Sequence, residues 1–127
     1  MKLLLIHADS MEFWKTRATK IAEETGHDTL RVENATVVFT AVEPGDSKKV
    51  DEAARSIREV MEMQHTDKAF IYPYAHLSSN LSSPKEAIEV LISLTEKLGC
   101  ERAPFGWYKR FNLNAKGHPM AEFSRQI

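Results

Sequence analysis

"KAFIYPYAHLSSNLSSPKEAIEVLISLTEKLG", Lys68 to Gly99, sets strand chemistry and helix chemistry back to back. Lys68 to Leu77 is aromatic and apolar, as a strand requires, although Pro73 removes one ladder donor and implies an edge, a bulge or a strand end. A serine-rich loop follows. Ser83 with Glu86 three residues later has the form of a capping box, and Pro84 falls at the first helical position, where its missing N–H costs nothing. Ala87, Ile88, Leu91, Ile92 and Leu98 then recur at helical spacing, and Gly99 supplies the stop. A strand that leads through a loop into an amphipathic helix is a unit of an α/β or α+β fold.

The flanking segments extend this pattern. Lys2 to His7 is a short aliphatic run, expected to be a strand buried on both faces, and Ala35 to Glu43, "ATVVFTAVE", is β-branched up to the turn signal Pro44-Gly45. Val50, Ala53, Ala54, Ile57, Val60 and Met61 predict a helix from Ser47 to about Gln64, with Asp46 or Ser47 as its cap. "APFGWYKRFNLNAKGHP", Ala103 to Pro119, predicts another strand and a Lys116-Gly117 turn before the final "MAEFSRQI". Met11 to Asn34 has no clean period and reads as mixed strand and loop. The expected architecture is one domain over residues 1–127, a mixed sheet with helices packed on it; its strand order does not follow from periodicity.

Composition narrows the function. With 43% hydrophobic and 28% charged residues, 127 residues suffice for a core without covalent staples. The net charge of −1 lacks the basic excess of proteins that grip nucleic acid broadly, so any such contact is expected to be local. Cys100 is the single cysteine, which excludes an internal disulfide and suggests a reducing compartment. The start, "MKLLLIHAD", is too short an apolar run for a signal or a membrane span, and a cytoplasmic location is expected.

Candidate chemistry lies where polar residues interrupt apolar patterns. In a regular strand Trp107, Phe111 and Leu113 share a face, Phe105 continues it, and Lys109 points with them, opposite Tyr108 and Arg110. Either the Lys109 stem lies on its aromatic neighbours while the ammonium reaches water, or the ammonium faces a cavity where it stabilises negative charge. Glu122 is a candidate countercharge. His76 ends a predicted strand before a loop, a position suited to presenting a functional group, or it is a structural histidine. His7 reads as a core residue, His118 as a turn residue, and His27 and His65 as surface. No histidine pair has zinc-site spacing and Cys100 has no near partner, so no metal is expected. Ser78, Ser79, Ser82 and Ser83 lack a nucleophile elbow and read as loop and capping residues.

"LLIHAD", "VFTAVE", "YPYAHLSS" and "APFGWYKRFNLNAKGHPMAEFSR" together resemble the N-terminal editing domain of archaeal-type threonyl-tRNA synthetases, whose fold is similar to that of D-aminoacyl-tRNA deacylases. The resemblance covers nearly the whole chain and is weakest from Met11 to Asn34. The Ser-Gln-Phe-Thr and Gly-Pro-Val-Thr type motifs of free-standing D-aminoacyl deacylases are absent, which favours the synthetase-linked branch. The resemblance implies a hydrolase, needing no cofactor, that removes serine mischarged onto threonine tRNA. One methyl separates the two amino acids and is worth only about 1 to 3 kcal/mol in a pocket, so a second sieve is required. His76, Tyr108, Lys109 and Glu122 match the family's active-site positions. Val42 and Ala75, through their backbone, and Phe105 match the cleft for the terminal adenosine and aminoacyl group, with Trp107 beside them.

In that family the adenosine 2′-hydroxyl is thought to help activate the water. The implied partners are the acceptor end of threonine tRNA, the remainder of a synthetase and a second copy in a homodimer. Ala115 stands where many relatives carry cysteine, and Asn80 where an acidic residue is expected. A D-aminoacyl-tRNA deacylase, a non-catalytic binder of the tRNA end and a small metal hydrolase are the rival classes.

Overall fold

The computed structural model describes all residues, Met1 to Ile127, and contains six strands and two helices. β1 (Lys2–Ala18) and β2 (Thr29–Ala41) form a long antiparallel hairpin. The segment from Met11 to Asn34, without clean period in the sequence, is therefore mostly strand. Its alternation is blurred because β1 shifts register against β5 (Trp107–Ala115) between Ala8 and Ser10 and again between Lys15 and Arg17.

β3 (Ala69–Pro73) runs parallel to β2, and the two-residue β4 (Glu101–Arg102) runs parallel to β3. The strand predicted to Leu77 stops at Pro73; Ala75–Leu77 is a single 3-10 turn. On the other side of β1, β6 (Glu122–Gln126) pairs with Lys2–Ile6, and β5 pairs with Ala8–Ala18. The sheet is mixed, in the order β4-β3-β2-β1 with β5 and β6 sharing the last edge.

α1 (Val50–Met63) connects β2 to β3 and α2 (Pro84–Leu98) connects β3 to β4. Two successive crossovers in one direction along the sheet place both helices on one face when their handedness is the same. Ala53, Ile57, Val60, Leu91 and Leu94 accordingly share a core with Leu3, Leu5, Val38 and Ile71. α2 starts as predicted: the Ser83 side chain accepts from the Glu86 N–H, Pro84 is at the first helical position, and Gly99 caps the end at φ 60°. The Glu86 carboxylate, however, does not close a capping box. It accepts from the Gly45 and Ser47 N–H groups, joining α2 to the turn before α1. α1 begins later than predicted, after a 3-10 turn at Asp46–Lys48, and has no side-chain cap. Asp46 accepts instead from the Glu43 N–H.

The opposite face is closed by curvature. Tyr72 on β3 is in register, through Phe39, with Leu4 of β1, and Phe111 on β5 with Phe13, so in a flat sheet they would lie three strand spacings across and nine residues along, about 33 Å apart. Their ring centroids are 5.3 Å apart. The sheet curls around Phe13, Phe39, Phe70, Tyr72 and Phe111 as a second core. No helix is long and apolar enough to cross a membrane.

Candidate active site

Between the two cores, at the C-terminal ends of the parallel strands β2 and β3, lies a cleft of about 380 Å³. This end of an open α/β sheet is where ligands are generally received. Thr40 to Val42 and Tyr72 to His76 form one wall, the start of α2 another, and Phe105 to Lys109 the third. The loop after β3 is fixed over the end of β2 by the Tyr74 N–H to the Thr40 carbonyl (2.8 Å), and the Ser82 N–H to the Val42 carbonyl (3.0 Å). Below it the Ser78 hydroxyl donates to Glu43 at 2.6 Å. That bond, with Gln126 and the terminal amine, holds the Glu43 carboxyl down at about 2.

Seven of the eight predicted residues line this cleft: His76, Tyr108, Lys109, Val42, Ala75, Phe105 and Trp107. Glu122 does not. It faces Ile6 across β1, whereas Lys109 faces Lys15. The two make no ion pair, and the carboxylate whose charge acts on Lys109 is that of Glu23, so Glu122 is not the Lys109 countercharge within one chain.

The Lys109 ammonium is oriented by the chain that carries it. Nζ donates to the Pro104 carbonyl at 2.9 Å and to the Trp107 carbonyl at 3.0 Å, and stands 5.2 Å from the centroid of the Tyr72 ring. Two of its three N–H bonds are therefore committed and one remains. Burial pulls its pKa down to about 8, with Lys15 adding to the depression and Glu23 opposing it. The lysine is thus half-buried at the cleft wall. The Tyr72 hydroxyl, whose pKa burial raises, makes no hydrogen bond within the protein. His76 is exposed, with its ring edge against Tyr74 at 5.1 Å.

Glu23 is the residue behind this wall that the sequence did not mark. Its carboxylate takes two bonds from Arg102 (2.6 and 2.7 Å) and one from the Phe105 N–H (2.6 Å). Its carbonyl accepts the Trp107 indole N–H at 2.7 Å. Burial alone would raise this carboxyl, but Arg102 and the Phe105 N–H outweigh it and keep it ionised below the usual range. Glu23 thus supplies the negative charge beside Lys109 and anchors the segment from Ala103 to Trp107 that supplies the lysine's acceptors. Gly106 permits the close approach: its φ is 80°, and the Thr19 N–H and hydroxyl both donate to its carbonyl.

His7 and His118 form a separate pair at the other end of β1. His7 is buried; its Nδ1 is 2.8 Å from His118 Nε2 and its Nε2 is 3.1 Å from Asn34 Oδ1. The Met120 N–H donates to His118 Nδ1. No group of three metal-ligating side chains occurs. Cys100 is partly buried, and burial raises its thiol to about 11, which keeps it protonated and unreactive.

Comparison with known proteins places these features in a family. The profile of the archaea-specific editing domain of threonyl-tRNA synthetase matches residues 1–127. The chain is 43% identical over 136 residues to the threonine–tRNA ligase of Methanoregula boonei, covering all of this chain and 22% of that protein. It is 44% identical over 133 residues to the threonine–tRNA ligase editing subunit of Saccharolobus solfataricus, covering 34% of that protein. The chain thus spans about a fifth to a third of these relatives. Among solved structures, the c-Myc DNA unwinding element binding protein superposes with a TM-score of 0.73 over 100% of this chain and 99% of that one; at 11% identity it shares the fold alone.

Proposed function

We infer the function from one premise: the chain belongs to the archaea-specific editing domains of threonyl-tRNA synthetase. The activity that fits is hydrolysis of the seryl ester of threonine tRNA. The observation that carries it is the Lys109 ammonium, fixed by two backbone carbonyls at the wall of a mostly apolar cleft with one N–H left over.

A water oxygen adds to the ester carbonyl, and negative charge develops on the carbonyl oxygen. The carbon–oxygen bond to the terminal ribose then breaks, the ribose oxygen takes up a proton, and free serine and uncharged tRNA separate. An oriented cation in a partly dehydrated site stabilises the developing oxyanion without having to reorganise. No carboxylate lines the cleft, and Glu23 behind it is engaged by Arg102 and Phe105; the substrate's 2′-hydroxyl fits the task of positioning the water. His76, exposed at the rim, and Tyr108 orient the ester end. Val42, Ala75, Phe105 and Trp107 shape the pocket that admits serine and makes the methyl of threonine collide or displace the water.

The domain acts beside the remainder of a synthetase, on the acceptor end of the tRNA, and as a homodimer. Glu122 lies outside the cleft lining and takes no part in this step within one chain. The test is a deacylation series on one tRNA carrying serine, threonine or a D-amino acid. Serine is released fast and threonine is largely spared. Equal hydrolysis of serine and threonine esters, or of neither, overturns the assignment, and preference for the D-ester makes the domain a D-aminoacyl deacylase.

A further inference from the structure

Directly opposed residues of paired strands share a face, so the pairs Arg17–Tyr108 and Trp14–Arg110 all project from the outer side of β1 and β5, away from the curled core. Tyr108 is 63% exposed. The Arg110 guanidinium lies 5.3 Å above the Trp14 ring, which holds it extended over the surface. Arg17, Lys20 and Tyr108 line a second, shallower depression together with Thr16, Ala18 and Thr19. This depression and the cleft have Tyr108 and Thr19 in common, so one leads into the other.

Several other cations of the same sheet are neutralised by acids. Lys15 is paired with Asp28, Arg31 with Glu12 and Glu33, and Arg102 with Glu23. Arg17, Lys20 and Arg110 are exposed, and none of them makes an ion pair or a side-chain hydrogen bond. Three uncompensated cations and an open aromatic ring thus stand together beside the mouth of the cleft. Interleaved cations and aromatics fit a single nucleic-acid strand, whose phosphates meet the cations while a base stacks on the ring.

We propose that Arg17, Lys20, Arg110 and Tyr108 form the track for the unpaired nucleotides that precede the esterified terminal nucleoside. This rests on the cleft being the site of that nucleoside. The strip fixes the strand's direction of entry: phosphates run along the outer face of β1 and β5, and the chain turns inward over Tyr108.

The test separates the track from the cleft. Anisotropy of a dye-labelled, uncharged single-stranded RNA tetranucleotide reports binding without any hydrolysis. Three phosphate contacts on a single strand give a log–log salt slope of about −2, and Arg17→Ala or Arg110→Ala each removes about 0.7 of it. Arg17→Glu with Arg110→Glu weakens binding at least about tenfold, whereas Lys48→Glu with Arg55→Glu, an equal change of charge on the helix side, leaves it near the parent value. On seryl-tRNA the first double variant raises KM about tenfold with kcat unchanged, and its hydrolysis of seryl-adenosine, which has no phosphates, is unaltered. RNA affinity and salt slope unchanged in the Arg17 and Arg110 variants overturn the track, as does equal loss in the Lys48 and Arg55 variant. Arginine-dependent RNA binding by a protein that hydrolyses neither ester keeps the track and overturns the deacylase assignment.

Discussion

The Glu23 carboxylate and the Arg102 guanidinium meet in a two-bond pair, 2.6 and 2.7 Å, in which the Glu23 side chain is only 7% exposed. The pair belongs to the site as much as to the fold, because the same carboxylate holds the Phe105 N–H and keeps a negative charge beside Lys109.

Replacing Arg102 by alanine strands a buried carboxylate and should lower stability by about 3 kcal/mol. Glu23→Gln is milder, since its amide oxygen can still accept from Phe105. It removes the charge that opposes the burial of Lys109, so the fall of deacylation rate with rising pH should begin at lower pH than in the parent. Rate–pH profiles of both proteins, corrected for spontaneous ester hydrolysis, check this; superimposable profiles would show that Glu23 acts on structure alone.

Lys109→Met keeps the stem and removes the charge. Single-turnover deacylation should slow by roughly 100-fold to 1000-fold, the usual loss for one oriented donor. His76→Ala should be milder. A melting curve of the same variant guards against unfolding, and a folded variant at near-parent rate removes Lys109 from the chemistry.

The same lysine has a stability signature. Its folded pKa of about 8 lies below the 10.5 of an unburied lysine, so the folded state sheds the proton first. Parent stability should therefore rise between about pH 8 and 10.5 relative to Lys109→Met, and the deacylation rate should fall over the same window. Denaturant titrations at pH 7.5 and 10 measure the difference.

Gly106 should tolerate no side chain. A Cβ there would lie 2.6 Å from the Ile21 carbonyl oxygen and 2.7 Å from the Ala22 Cα, at a φ of 80° that L-residues rarely adopt. Gly106→Ala should cost about 1 to 3 kcal/mol and reduce activity by displacing Trp107 and Lys109. A parent-like melting temperature with parent-like turnover would contradict this.

The His7–His118 pair should make the fold sensitive to mild acid. Neutral rings allow a one-way chain: Met120 N–H to His118 Nδ1, His118 Nε2–H to His7 Nδ1, His7 Nε2–H to Asn34. Protonating His7 sets two donors against each other. Burial, Lys116 and His118 lower its pKa from 6.5, against Asn34 and Asp9, which raise it. The stabilisation is thus complete above pH 6.5 and lost as pH falls below it toward the folded value. Melting temperatures at pH 7.5 and 5.5 should differ more for the parent than for His7→Gln.

Residues whose partners are near in sequence announced themselves. Ser83, Pro84 and Gly99 marked α2 because caps are properties of adjacent backbone, and Lys109 showed as a break in a period-two face. Glu23 did not, being one of 18 acids whose defining partners, Arg102 and Phe105, come 79 and 82 residues later. The hairpin from Met11 to Asn34 was hidden by register shifts that interrupt alternation, and β4 is too short to leave a pattern. Glu122 was misplaced as a countercharge because nothing in "MAEFSR" says which half of β1 the last strand will meet.

β1 is hydrogen-bonded to three strands, two of which, β5 and β6, are contributed by residues 107–126. During synthesis β1 must therefore keep one edge open until residues 107–126 have emerged. Its early hairpin with β2 can form at once, but the pairing that fixes the lysine-bearing wall closes loops of some ninety residues, a slow step by its topology. Until then an apolar edge is free to pair with another nascent chain. The hazard of this fold thus lies in the interval before its last strands arrive, and a chaperone that shields the β1 edge during that interval would suppress such pairing.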